Sequence, residues 1–268
     1  MLSSLAAILA AVVLGVPLLL YLLQDRLIFF PQPLDAAQRE AIGGRFSYSQ
    51  ELFIQSESGR RLQAWYVPGE AGKPLVLYFG GNAEDVSRML GDAHARVPGL
   101  GWLLVNYRGY GGSEGKPSEG AIRADALRWY DHAATRLGAK RVIAFGRSLG
   151  SGAAVYLASQ RPLEGVVLVT PYDSLVEVAR HHYPFLPVRA FLRHPFDSAR
   201  LAPGIAAPLL CIAAARDDVI PAVHARRLFD VWGGPKRWLL LEGAGHNTTD
   251  SHPLFWTSVT DFLVNSHP

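Results

Sequence analysis

The stretch Phe145-Gly146-Arg147-Ser148-Leu149-Gly150 decides the fold. It follows the run Arg141-Val142-Ile143-Ala144 and precedes a small-residue segment, Ser151-Gly152-Ala153-Ala154-Val155-Tyr156-Leu157-Ala158. The order reads as strand, sharp turn, helix. A Gly-x-Ser-x-Gly in that setting puts a serine on a strained bend, with its hydroxyl projecting past the sheet edge. Glycines at 146 and 150 let the outgoing helix pass close to the incoming strand. The helix N-terminus then lies under the hydroxyl, where free N–H groups favour a developing negative charge. Ser148 is therefore the candidate nucleophile, and Leu149, the next residue, a candidate N–H donor to an oxyanion. An ordinary βα turn with incidental glycines has the same letters, so partners must be found elsewhere in the chain.

On both sides of this bend, apolar runs alternate with helical stretches. The strand-like runs are Leu75 to Phe79, Trp102 to Asn106, Val142 to Phe145, Val166 to Thr170, Leu209 to Ala213 and Trp238 to Leu241. Helices are expected over Glu84 to Arg96, Glu119 to Leu137, Ser151 to Gln160, Ala222 to Trp232 and Pro253 to Asn265. Near-continuous apolar strands with helices between them predict a mostly parallel sheet covered on both faces. Ahead of them, Glu51 to Gln55 and Leu62 to Pro68 flank the turn Ser58-Gly59-Arg60-Arg61 and read as an antiparallel hairpin. The fold class is thus α/β, with a twisted sheet of about eight strands.

In a sheet of this type the partners of the serine come in the order acid, then base, each just beyond a later strand. The run from Leu209 ends in Arg216-Asp217-Asp218-Val219-Ile220-Pro221. Either aspartate could serve. Asp217 is preferred as nearer the strand end, with Asp218 left as a charge at the next helix start and Val219 and Ile220 as packing residues. After the last strand, Glu242-Gly243-Ala244-Gly245-His246-Asn247 offers an imidazole on a glycine-flanked loop that can swing back over the sheet edge. His246 would take the Ser148 proton, and Asp217 would hold its other nitrogen. A second N–H donor should come from the loop after Leu77-Tyr78-Phe79, which reads Gly80-Gly81-Asn82-Ala83, with Asn82 as the candidate.

The N-terminal run from Leu5 to Leu23 carries no charge. At 1.5 Å per residue, about 19 residues span roughly 28 Å, close to a bilayer core. Tyr21, Phe29 and Phe30 fall where an interfacial aromatic belt would be. A single membrane anchor over residues 1–24 is expected, followed by a linker over 25–45 and the main domain over 46–268. A cleaved signal peptide competes, but no Lys or Arg precedes the run and no small-x-small site follows it. The basic residues Arg26, Arg39 and Arg45 are interspersed with acids, so the side of the membrane stays open. Residues 171–203, rich in aromatics and basics, are too long for a simple crossover and predict a small helical cap above the strand ends. A longer connecting helix is the alternative.

Composition narrows the classes further. With 268 residues, 49% of them hydrophobic, the chain can bury one large core. The net charge of +3 comes without a Lys/Arg cluster, which argues against a nucleic-acid partner. Cys211, alone in an apolar run, is a packing residue. Adjacent His181 and His182 cannot present a zinc-binding helix face, and no metal or cofactor is called for. Arg147 reads two ways, steering an anionic substrate or pairing with a structural acid. Arg108 reads as an anchor for its glycine-rich loop.

These motifs together resemble the α/β-hydrolase superfamily. More narrowly, the chain is similar to the membrane-anchored α/β-hydrolase-domain subgroup related to the bud-emergence proteins, whose relatives include protein depalmitoylases. The pieces that carry the likeness are Tyr21 to Pro31, Gly80 to Ala83, Asn106 to Gly115, Gly146 to Gly150, His182 to Pro187 and Gly243 to Asn247. The resemblance implies a Ser148–Asp217–His246 triad acting on acyl esters or thioesters, and an anchor beside an aromatic cap leads to the expectation of lipid-like ones. Two positions depart from the pattern. The oxyanion loop usually opens His-Gly where this chain has Gly80-Gly81, which removes a side chain that buttresses the loop, and Ala214 stands where glycine is usual. A peptidase of the same fold, or a silent hydrolase fold serving as a membrane-bound interaction module, are the rival readings.

Overall fold

The computed structural model describes residues 18–265 together with Gly15. Most of the expected anchor falls on residues 1–14, 16 and 17, outside the described residues. Residues 18–28 are helical, and among the described residues no helix is long and apolar enough to cross a membrane.

Eight strands form one sheet: β1 (Gln50–Gln55), β2 (Arg61–Val67), β3 (Leu75–Phe79), β4 (Gly101–Val105), β5 (Val142–Arg147), β6 (Gly165–Val169), β7 (Leu209–Ala214) and β8 (Lys236–Leu241). Their spatial order is β1-β2-β4-β3-β5-β6-β7-β8. The β1–β2 hairpin and the β2–β4 pair are antiparallel, and every other pairing is parallel. After β3 the chain steps to one side to make β4, then crosses back to place β5 on the other. Where the winding reverses, the loops beyond neighbouring strands diverge and leave a crevice at the carboxyl edge. The loops after β3 and β5 flank that crevice.

Alternate residues of each strand serve opposite faces, as the pleat requires. Leu75, Leu77 and Phe79 join one core layer, and Val76 and Tyr78 the other. The first layer is closed by α3 (Glu119–Arg136), α4 (Leu149–Gln160) and α8 (Ala222–Asp230) through Trp129, Val155 and Leu228. The second is closed by α2 (Met89–Arg96) and α9 (Pro253–Asn265) through Leu90 and Val259. Cys211 is fully buried in the first layer.

The expected linker holds a helix, α1 (Ala36–Arg45), started by a capping box in which Asp35 and Gln38 exchange side-chain and backbone bonds. Just before it, Gly111 N–H donates to Gln32 O and Leu34 N–H to Gly111 O, stitching the segment to the loop after β4. Between β6 and β7 the chain forms three short helices, α5 (Leu175–His182), α6 (Val188–Phe191) and α7 (Ser198–Leu201).

Several boundaries shift by one or two residues, and two of the shifts have a local cause. The helix read from Glu84 begins only at Val86, as one 3-10 turn, because the Glu84 carboxylate turns back to accept from Gly81 N–H and Asp85 caps Ser87 N–H. The helix read from Ser151 begins at Leu149, directly after the bend.

Candidate active site

The bend after β5 is tight. Ser148 holds φ 50° and ψ −116°, a region that side chains other than glycine rarely occupy. The neighbouring glycines make this possible. A Cβ at Gly146 would lie 2.4 Å from Gly150 O, and one at Gly150 would lie 2.1 Å from Phe79 O. Helix α4 therefore leaves the sheet in backbone contact with both β5 and the end of β3. Ser148 is pinned further by its N–H donating to Val169 O at 2.9 Å.

The loops after β7 and β8 bring the other two groups to it. His246 Nε2 lies 2.9 Å from Ser148 Oγ. Its Nδ1 lies 2.8 Å from Asp217 Oδ2 and 3.0 Å from Oδ1. An Nδ1–H tautomer donates to the carboxylate and leaves the Nε2 lone pair facing the hydroxyl. Asp217 Oδ1 also accepts from the N–H groups of Val219 (2.9 Å) and Ile220 (2.7 Å), which fixes the carboxylate at the loop tip. All three residues are buried. Asp218 is exposed and meets neither. Ile220 packs into the core as expected. Val219 does not: it is 46% exposed and lines the pocket mouth.

The pocket over Ser148 has a volume of about 480 Å³ and is lined also by Asn82, Arg88, Arg147 and His246. Of the two expected N–H donors, Asn82 stands in this pocket and Leu149 opens the helix beside Ser148. Arg147 makes no ion pair within 4 Å among the described residues, and it shares the pocket with the carboxylates of Glu84, Asp92 and Asp250. Arg108 anchors its loop through a two-pronged bond to Asp125, Nε to Oδ2 at 2.8 Å and Nη2 to Oδ1 at 2.7 Å.

The glycine pair at 80 and 81 is explained by what fills the space around it. A Cβ at Gly80 would lie 2.9 Å from Val86 Cγ1 and 3.1 Å from Glu84 Cδ. Glu84 occupies the place of a larger loop residue, accepting from Gly81 N–H at 2.6 Å and from the Tyr78 hydroxyl at 2.7 Å. The Tyr107 hydroxyl donates to Gly80 O at 2.8 Å. The Tyr110 hydroxyl donates to Asn82 Oδ1 at 2.8 Å. Burial first, and the Glu84 charge second, hold the Tyr78 and Tyr107 phenols protonated far above their ordinary range, so both remain donors. Burial likewise pushes Tyr110 up to about 12. Side chains from three segments thus provide the buttress that the missing histidine left in question.

Sequence reading missed a second role for Asn82. Its amide Nδ2 donates to Ile28 O at 2.6 Å, and Oδ1 accepts from Phe30 N–H at 2.9 Å. The candidate oxyanion loop is tied to the segment leaving the N-terminal helix. The one available signal was Asn after two glycines, which does not name a partner more than fifty residues upstream.

Known proteins resemble the chain in sequence and in fold. An uncharacterized protein of Mycobacterium tuberculosis is 39% identical over 250 residues, covering 90% of this chain and 86% of that one. An uncharacterized membrane protein of Saccharomyces cerevisiae is 28% identical over 225 residues, covering 80% and 79%. The lysophosphatidylserine lipase ABHD12 of Danio rerio is 27% identical over 229 residues, covering 69% of this chain and 59% of that one. Among solved structures, the esterase Pf2001 of Pyrococcus furiosus superposes with a TM-score of 0.65 at 18% identity, covering 84% of this chain and 95% of that one. No protein-family model matches the chain.

Proposed function

From a chain that belongs to the α/β-hydrolase superfamily, we propose a membrane-anchored serine hydrolase that cleaves carboxylic esters or thioesters through an acyl-enzyme. The observation that carries the reading is a buried hydroxyl on a strained bend, 2.9 Å from an imidazole whose far nitrogen meets a carboxylate. Ser148 Oγ attacks the substrate carbonyl as its proton passes to His246 Nε2. Asp217 keeps the ring in the right tautomer and stabilises the imidazolium. The backbone N–H groups of Leu149 and Asn82 receive the oxyanion. Collapse expels the alcohol or thiol, which leaves with the proton from Nε2. Water then attacks the acyl-enzyme with His246 again as base, and carboxylate and free serine result.

An ester-hydrolysing lipase among the relatives supports the bond type. The uncharged run from 5 to 23, and the relative named as a membrane protein, support the anchor. Labelling with a serine-directed fluorophosphonate and turnover of p-nitrophenyl esters test the assignment. Ser148→Ala should abolish labelling and lower kcat on the order of 10⁶-fold, as triad loss does in subtilisin. Unchanged labelling in that variant would remove the nucleophile from Ser148.

A further inference from the structure

The N–H of Asn82 has no acceptor among the described residues, whereas the Gly81 N–H beside it is taken by Glu84. The loop that carries both lies against the nucleophile, since a Cβ at Gly81 would come 3.7 Å from Ser148 Cβ. On this side of Ser148, Asn82 is the peptide left free to meet an oxyanion. Its placement then matters, because a shift of about 1 Å in a group that meets the transition state can cost on the order of a hundredfold in rate.

The loop does not fix that placement by itself. Ala83, the next residue, sits at φ 56°, in the left-handed region that a side chain other than glycine occupies at a cost. What holds the peptide is the Asn82 side chain. Its Oδ1 accepts from Ala83 N–H at 3.1 Å, from the Tyr110 hydroxyl at 2.8 Å and from Phe30 N–H at 2.9 Å. Its Nδ2 donates to Ile28 O at 2.6 Å. Two of these four partners thus lie on the segment that leaves the N-terminal helix.

That segment is itself seated. Phe29 is buried in the first core layer, its ring edge-on to His194 with centroids 5.1 Å apart. Phe29 N–H donates to Asp25 O at 3.0 Å. Just upstream, Gln24 and Asp25 form a seam with the chain between β6 and β7. Gln24 Nε2 donates to Phe191 O at 3.2 Å, and Gln24 Oε1 accepts from Arg193 N–H at 2.7 Å. Asp25 Oδ1 meets Arg193 and His194 at 2.9 Å each. The Ile28 carbonyl and the Phe30 N–H therefore reach Asn82 from a fixed frame.

We infer that Ile28 and Phe30, acting through the Asn82 side chain, position the oxyanion donor, so that the peptide leaving the expected anchor belongs to the hydrolytic machinery. The assignment rests on the Ser148 reading. Asn82 is a positioning residue through its side chain and a donor through its backbone. None of the hydrogen bonds that join Ser148, His246 and Asp217 involves residues 24–30. A molecule with this segment unseated keeps its triad and turns over slowly.

Asn82→Ala separates the two roles, because it removes the amide and keeps the peptide N–H. Phe29→Ala unseats the segment from outside the Ser148 pocket, and Phe29→Leu is the milder form should the first not fold. Full-length protein in detergent micelles is assayed with p-nitrophenyl acetate and with an aryl trifluoromethyl ketone. Ser148 Oγ adds to the ketone carbonyl, the Oγ proton passes to His246 Nε2, and the hemiketal oxygen keeps the negative charge. Asn82→Ala should lower kcat on the order of 10²-fold with KM changed less than about twofold. A folded Phe29 variant should lower kcat by about threefold or more, again at constant KM. Ketone affinity should fall in step with kcat/KM, and the pH midpoint of kcat/KM, set by His246, should stay in place. Asn82→Ala that keeps its kcat, raises KM alone, or loses kcat with ketone affinity intact would overturn the positioning role. A folded Phe29 variant with unchanged kcat would overturn the part given to the segment. An unaltered protein that neither hydrolyses the acetate nor takes up a fluorophosphonate would instead overturn the Ser148 reading.

Discussion

Replacing Arg108 by alanine should destabilise the protein by an amount that depends on pH. The Asp125 side chain on α3 is 5% exposed, and its two oxygens meet the Arg108 fork at 2.7 and 2.8 Å. Burial pushes the Asp125 carboxyl above its ordinary value, and the Arg108 hydrogen bond and charge pull it part of the way back. Removing one partner of a buried pair costs about 3–5 kcal/mol. Arg108 is 16% exposed, so water reaches the site and about 2–3 kcal/mol is the fair expectation. The sign follows from proton binding. With its native pKa raised, Asp125 binds more protons folded than unfolded across the interval between the two values, so stability falls as pH rises through that interval. Arg108→Ala widens the interval by pushing the native value higher still. The deficit should therefore be larger at pH 8 than at pH 5, because the buried carboxyl takes up its proton as pH falls. Urea unfolding followed by tryptophan fluorescence at both pH values measures it, with the m-value unchanged. Adding Asp125→Asn to Arg108→Ala should recover more than half of the loss at pH 8, since no buried charge is then left alone. A deficit equal at the two pH values, or no recovery in the double variant, would refute the reasoning.

Two further substitutions probe the site. Gly150→Ala drives a methyl group onto Phe79 O and Gly80 O, so strand β3 and the oxyanion loop must move. A cost of about 3 kcal/mol should lower Tm by roughly 6–12 °C, read by calorimetry, and phosphonate labelling should slow with it. Arg147→Ala should raise KM about fivefold for an ester whose alcohol carries a phosphate, and less than twofold for a neutral ester, a partly exposed charge pair being worth about 1 kcal/mol. Steady-state kinetics on the matched pair decide it.

The parts of the molecule that were legible in the sequence are those where local chemistry restricts the residue. The bend at Ser148 needs glycines because two backbones meet there, and those glycines mark it. Strands β3, β5 and β6 are buried on both faces and read as unbroken apolar runs. Asp217 could be preferred over Asp218 by its distance from the strand end, since the loop must turn at once to reach His246. What stayed hidden depends on contacts between distant segments. Glu84 looked like a helix start, yet its carboxylate is held by Gly81 and Tyr78. Val219 looked like core, yet it faces the pocket mouth while Ile220, held by the same Asp217 oxygen, packs inward. Nothing in the spacing of Asn82 announces Ile28 and Phe30 as partners, because hydrogen-bonding side chains carry no period.

The seam formed by Gln24 and Asp25 has a consequence for the order of events during synthesis. Its partner His194 lies 169 residues further along the chain. At about 5–20 residues per second, the ribosome delivers that partner roughly 8–34 s after Asp25. Gln24 and Asp25 thus wait for chain made after the sixth strand before this seam can close. A translational stall before Arg193 would leave the sheet's first strands built and this stretch undocked.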